Sequence, residues 1–267
     1  MMKRIFSKQN RALLSELVRT DFKLRYQGSA LGYAWSLLRP LFIFAILYVV
    51  FVKFLKLGNG IPHYPVYLLL GIVLWNFFFE MTMQSLGSIV GRGDLIRKIR
   101  IPRWIIVLSS SIGTVINLLL NLIVIAVFMF FGHVGLLSTI VRFPFILIEI
   151  YLLAFGLSLF LSAAFVKYRD ISYIWEVVLQ AGFYATPILY PLSRITNVTL
   201  QKIILINPLG QAIQDARYSI ITHSTTTAHG IFKGGWHQYI PFALVLIILV
   251  IGVTYFRSQA KYFAENI

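Results

Sequence analysis

Lys23, Arg25 and Arg39 flank a glycine and aromatic rich bend, Gly28, Ser29, Leu31, Gly32, Tyr33 and Trp35, within TDFKLRYQGSALGYAWSLLRP (20–40). Residues of these types at this spacing suit the holding of a dense anion at a water–lipid boundary. A guanidinium offers planar, bidentate donors that stay charged at interface depth, and a backbone free of side chains lets anion oxygens approach closely. N–H groups at the start of the helix that follows would add a favourable dipole. The simpler reading is an anchor, in which the same cations hold any anionic lipid while Tyr33 and Trp35 sit at headgroup level. The residue chemistry by itself favours the anchor.

Three other groups of residues stand out. In GRGDLIRKIRIPRW (91–104), Leu95, Ile96 and Ile99 form one face of a short helix, Asp94, Arg97, Lys98 and Arg100 occupy its other sides, and Pro102 ends it. A basic loop is an adequate topology signal, but such a signal needs no apolar face, so docking to a partner is the preferred reading. The second group lies in 184–222, which Pro187, Pro191 and Pro208 interrupt and whose apolar stretch 203–206 is far too short to cross a membrane. A segment of this kind re-enters the bilayer or lies on its surface, where protein or a water cavity satisfies its backbone. The third is a set of aromatics inside apolar runs. Phe44, Tyr48 and Phe51 share a helical face, and Trp175, Phe183 and Tyr184 lie in a later run. A stripe like this is more often helix packing or lipid contact than a lining. Glu80, Glu149 and Glu176, within or at the ends of apolar runs, read as structural.

Those residues need elements to position them, and composition says which kind. Hydrophobic residues make up 58% of the 267 and charged residues only 12%, with a mean hydropathy of +0.80, which places the chain among integral membrane proteins. The net charge of +15 would fit nucleic acid, but the cations lie between apolar runs, so lipid and topology explain them and no nucleic-acid partner is expected. There is no cysteine, which excludes disulfides and thiolate metal sites. The opening residues are basic but lack an apolar core of signal-peptide length, so no removal of a leader is expected.

The expected fold is an all-α integral membrane protein of one domain, 1–267. An amphipathic interfacial helix and bend (1–36) places Leu13, Leu14, Leu17, Val18 and Phe22 on one side. A membrane region (37–257) follows, with apolar runs at 37–55, 66–90, 104–131, 143–166, 171–190 and 239–256, and a tail (258–267) closes the chain. Six spanning helices are expected, with re-entrant helices at about 186–222 between the fifth and sixth. Seventeen of the 24 Lys and Arg fall in the N-terminal arm through Arg39, 91–103, 167–170 and the tail from Arg257, so both termini are expected to be cytoplasmic, Asp94 with them and Thr225 external. There is no G-x-x-x-x-G-K-[ST] loop, H-E-x-x-H helix or G-x-S-x-G elbow, and the five histidines stand at unrelated spacings in outer segments, so neither an ATPase nor an embedded enzyme is supported.

The spacing D-F-K-x-R-Y-x-x-S-x-L-G-x-x-W-x-x-x-x-P, the basic connection 91–104, and the patterns T-P-I-x-Y-P and N-P-L-x-x-x-I-x-D-x-R occur in that order. Together they resemble the ABC-2 type permeases that export cell-surface polysaccharides. The likeness is greatest to permeases of Gram-positive bacteria that export rhamnose-rich cell-wall polysaccharides, with O-antigen and teichoic acid exporters as wider relatives. The resemblance implies a homodimer in a bacterial cytoplasmic membrane joined to two ATPase chains, with ATP and Mg on the partner and no cofactor in this chain. It implies that Lys23, Arg25, Gly28, Ser29, Gly32 and Arg39 recognise the pyrophosphate of an undecaprenyl-linked polymer. The polymer would then slide past Phe44, Tyr48, Phe51, Trp175, Phe183 and Tyr184, since sugars stack on aromatic faces without fixed hydrogen bonds. Residues 94–100 would couple to the ATPase, and Pro187, Tyr190, Pro191, Asn207, Pro208, Asp215 and Arg217 would form the outer gate. Two other functions fit some of these features: an ABC-2 exporter of a small drug or lipid, and a membrane glycosyltransferase or ligase.

Overall fold

The computed structural model describes residues 8–26, 32–56, 58, 60–98, 102–135 and 137–266, and among them every regular element is helical. The order is α1 (Lys8–Tyr26), α2 (Trp35–Leu47) continued by a π-helix (Tyr48–Phe54), α3 (Tyr64–Ser88), α4 (Gly93–Lys98), α5 (Trp104–Phe131), α6 (Phe143–Lys167), α7 (Ile171–Ala185), α8 (Val198–Ile206), α9 (Pro208–Ile220), α10 (Ala228–Ile231), α11 (Ile240–Ala260) and α12 (Phe263–Asn266). Pro65, Pro144, Pro208 and Pro241 stand in the first turns of α3, α6, α9 and α11, where a helix has no use for an N–H. Asn207 ends α8 and caps α9, accepting from the Leu209 N–H at 3.1 Å, so the chain turns at a single residue.

Among the described residues five helices are long and apolar enough to cross a membrane: Trp35–Phe54, Tyr64–Ser88, Trp104–Phe131, Ser138–Lys167 and Trp236–Ala260. The expected crossing at 171–190 is shorter than the sequence runs indicate. Its helix stops at Ala185 after 15 residues because Thr186 is extended and Pro187 follows. At 1.5 Å per residue that is about 22 Å, against about 30 Å for a bilayer core.

The bundle is built around α3, 78% of whose apolar window is buried, compared with 11% for α2. Helices α2, α5, α6, α7 and α9 all pack on α3, while α11 lies along α6. Small residues permit that last approach: a Cβ on Gly252 would overlap the Gly156 carbonyl. The amphipathic helix α1 forms as expected, and Leu13, Leu14, Leu17 and Val18 are half-buried on the side that rests against α5.

Candidate functional site

Three groups of candidate residues lie along the bundle. The first sits where α2 enters it. Pro40 lies inside α2 and has no N–H to donate to the Ser36 carbonyl. Asn121 of α5 fills the place, its Nδ2 donating to the Ser36 carbonyl at 3.2 Å and to the Asn117 carbonyl at 2.8 Å. Asn117 in turn donates to Glu80 Oε2 at 3.3 Å. Beside this polar seam, Trp35, Ser36, Arg39, Phe79, Glu80, Met83 and Gln84 line a cavity of about 320 Å³. Arg39 is therefore at a cavity, as an anion site requires, but a carboxylate, Glu80, shares it. Gly32 opens the approach with a positive φ of 48°, as a glycine can. Lys23 is exposed on α1, Arg25 lies in the same helix, and Gly28 and Ser29 fall outside the described residues.

The second group joins α1 to the connection after α3. Arg92 pairs with Asp21 of α1 and donates to Ser109 Oγ of α5 at 3.0 Å, and the Ser109 hydroxyl lies 3.3 Å from the other Asp21 oxygen. One carboxylate thus ties the amphipathic helix, the basic connection and a spanning helix together. Within α4, Asp94 and Arg97 are exposed and Leu95 is half-buried. Ile96 is 8% exposed and packs with Ile89, Ile106, Phe256 and Phe263. A side chain so enclosed anchors α4 to its own bundle, which corrects its expected place on a docking face. Lys98 ends α4, and Ile99 and Arg100 fall outside the described residues.

The third group is at the opposite end of α3. Arg217 of α9 is fully buried and, among the described residues, has no carboxylate partner. Its Nε donates to the Tyr67 carbonyl at 3.0 Å, Nη1 to the Pro187 carbonyl at 2.5 Å and to Gln214 Oε1 at 3.2 Å, and Nη2 to the Ile188 carbonyl at 2.7 Å. The guanidinium carbon stands 3.7 Å from the centre of the Tyr67 ring, and Tyr64 donates to the Leu189 carbonyl at 2.5 Å. Residues 187–189, which carry no helical bonds of their own, are thus held by two side chains from α3 and α9. Gly71 makes room, since a Cβ there would run into the guanidinium. Tyr64, Tyr67 and Gly71 recur at helical spacing, a signal present in the sequence and not used above. Of the other expected gate residues, Pro191 is buried, Tyr190 donates to the last carbonyls of α7, and Asn207 and Pro208 begin α9. Asp215 accepts from Gln211 Nε2 at 2.6 Å; burial pushes its carboxyl above the usual range, against the opposing effects of that bond and of Arg142.

The aromatic residues are divided between packing and open faces. Phe44 is buried against Phe128 of α5, at 5.6 Å between ring centres, so within this protomer it is packing and not wall. Tyr48 and Phe51 are half-buried; the π-helical turn stacks residues five apart, and Lys53 lies over the Tyr48 ring. Trp175 donates to Thr82 Oγ1 at 3.1 Å, and Phe183 meets Trp75 at 5.8 Å, so both lean on α3. Tyr184 is 69% exposed, and it shares the open side of α7 with Tyr173, Val177 and Ala181. Of the three acidic residues noted inside or at the ends of runs, Glu80 faces the first cavity, Glu149 is buried and Glu176 is exposed.

Comparison with known proteins gives a consistent result. The family model described as ABC-2 type transporter matches residues 12–221, which include all three groups. Similar proteins include an O-antigen export system permease protein of Klebsiella pneumoniae, 31% identical over 258 residues that make up 95% of this chain and 94% of the relative. Another, of the same description from Myxococcus xanthus, is 27% identical over 97% of this chain and 96% of its own length. A polysialic acid transport protein of Escherichia coli is 22% identical over 90% of this chain and 91% of its own.

Proposed function

The chain belongs to the ABC-2 type transporter family, and from that premise we propose that it is the permease of an exporter for a lipid-linked cell-surface polysaccharide. The observation that carries this reading is end-to-end likeness to relatives named as O-antigen export permeases, which leaves little of either chain uncovered. ATP is hydrolysed by a separate subunit, with its Mg, because this chain has no phosphate loop. Two permeases and two ATPase chains make the exporter. The substrate is a polymer on undecaprenyl pyrophosphate, of the rhamnose-rich, O-antigen or teichoic acid kind.

In this reading α7 and the extended residues after it complete a sixth crossing, α8 and α9 re-enter the membrane from outside, and both termini are cytoplasmic. Arg25 and Arg39, with Lys23, hold the pyrophosphate at the inner leaflet, where the cavity beside Arg39 supplies an aromatic wall in Trp35. Glu80 sets a limit on that site by rejecting an anion that enters too deeply. The polymer then slides along the open side of α7, with Tyr184 as a ring contact, and past the half-buried Tyr48 and Phe51 on the π-helical continuation of α2. Asp94 and Arg97 face the ATPase, and the Asp21–Arg92 pair transmits its movement to α1. The segment held by Arg217 closes the outer end.

The test is removal and restoration of the chain in the bacterium that carries it. Loss should leave lipid-linked polymer trapped inside with its synthesis intact, and the parent chain should restore surface polymer. Arg25→Lys keeps charge and orientation but removes the fork, so it should restore export poorly. Normal surface polymer in the deleted strain would remove the export reading, and full restoration by Arg25→Lys would reduce that arginine to an anchor.

A further inference from the structure

We propose that a second cavity, between α6, α9 and α11, binds the zwitterionic headgroup of a membrane aminophospholipid, with the ammonium at its floor and the phosphate at its mouth. The cavity measures about 320 Å³ and lies at the same end of the bundle as the Arg217 cluster, away from the faces of α2 and α7 assigned to the polymer. Its floor holds Glu149, 8% exposed, whose Oε1 has no hydrogen-bond partner. An enclosed carboxylate oxygen with nothing to accept from is costly unless a donor arrives from outside. Asp215 lies beside it, oriented by Gln211 at 2.6 Å. Together the two carboxylates offer an ammonium several acceptors at once.

The walls and mouth narrow the choice of donor. Phe145, Tyr218 and Phe242 line the cavity, and aromatic faces attract an ammonium within about 6 Å of the ring centre. Arg142, exposed at the mouth, makes no hydrogen bond or ion pair among the described residues. His229 is also exposed there, its Nδ1 2.7 Å from Gln238 Oε1. Carboxyl groups inside and the Arg142 guanidinium outside match a ligand whose own charges run the opposite way. A neutral sugar would satisfy Glu149 but offer no anion to the exposed Arg142. Phe145, 70% exposed, and the exposed Phe242 belong to spanning helices, so the apolar side of the mouth faces acyl chains. This points to a lipid headgroup over a soluble zwitterion. The reading does not depend on what the permease exports.

The experiment uses the full chain in mild detergent, mixed with phosphatidylethanolamine or with phosphatidylglycerol of the same acyl chains, and counts retained lipid by native mass spectrometry. The parent should retain the ethanolamine lipid about tenfold better, the scale of a charge-assisted hydrogen bond in an enclosed site. Glu149→Gln should bring the two lipids to parity, and Arg142→Gln should weaken retention of both while keeping the preference. Equal retention by the parent, or an unchanged preference in Glu149→Gln, overturns the proposal. If Glu149→Gln does not fold, Arg142→Glu at the exposed mouth decides: it should expel the ethanolamine lipid, and unchanged retention is again refutation. Binding of soluble phosphoethanolamine as tightly as the lipid, or of an oligosaccharide in its place, replaces the lipid with that ligand.

Discussion

At the scale of single residues, Arg217 is the side chain with most to lose. Removing it leaves the carbonyls of Pro187 and Ile188 buried without that donor, at roughly 1–3 kcal/mol each, and takes from the Tyr67 carbonyl the bond it accepts beyond its helical one. Arg217→Ala should therefore lower stability by about 3 kcal/mol or more, read as a fall in the melting temperature of the purified chain. Arg217→Lys should recover little, since one ammonium cannot span carbonyls on both α3 and the 187–189 segment. Gly71→Ala is the companion test. Helix propensity alone would make alanine better there by about 1 kcal/mol, but its Cβ would meet the guanidinium. The collision should win, and the double change Gly71→Ala with Arg217→Ala should cost less than the two separately. A stabilised Gly71→Ala would show that the arginine is not held as described.

Between elements, two joints are open to test. The Pro40–Ser36–Asn121 arrangement predicts an exchange of partners: Asn121→Leu should cost about 1 kcal/mol in the parent but little in Pro40→Ala, where a helical N–H can return to the Ser36 carbonyl. Equal costs in both backgrounds would mean that the asparagine serves something else. The Asp21–Arg92 pair is partly exposed, so its contribution to stability is at most about 1 kcal/mol. Its effect should appear in coupling. Asp21→Asn should leave assembly and melting nearly unchanged while lowering export per ATP hydrolysed, and the exchanged pair Asp21→Arg with Arg92→Asp should recover part of the loss. Export unchanged in Asp21→Asn would leave the pair a surface contact.

For the molecule as a whole, orientation and the open faces are the quantities to measure. The native chain lacks cysteine, so single cysteines report which side a residue occupies. Thr225 is buried, which makes the neighbouring exposed Ser224 the better external probe. A membrane-impermeant thiol reagent on whole cells should label Ser224→Cys and spare Asp94→Cys, and the reverse pattern would invert the topology. Tyr184→Ala, on the open side of α7, should slow export several-fold without loss of protein or of basal ATP hydrolysis. Phe44→Ala, in the packed interior, should instead lower stability by about 3 kcal/mol or more. If both changes act only through protein yield, neither ring touches the polymer.

Properties local to the chain were legible from sequence. Run length and composition gave the membrane class and located the five long spans found among the described residues, and α1 showed its stripe through spacing three and four. Pro187 even announced the early end of α7, although apolarity up to residue 190 read as a full crossing. Which side of a spanning helix faces protein was not legible, because lipid and protein interior are equally apolar and the sequence carries no contrast between them. That is why Phe44 reads as wall and proves to be packing; Ile96, on the short α4, reads as a docking face and proves to be an anchor because an apolar side chain looks the same whether its own bundle or a partner covers it. Polar joints depend on tertiary structure for another reason. Arg217 meets Tyr67 and Pro187 from positions 150 and 30 residues away, and Asn121 meets Ser36 across 85, so only the folded bundle decides which buried donor answers which carbonyl.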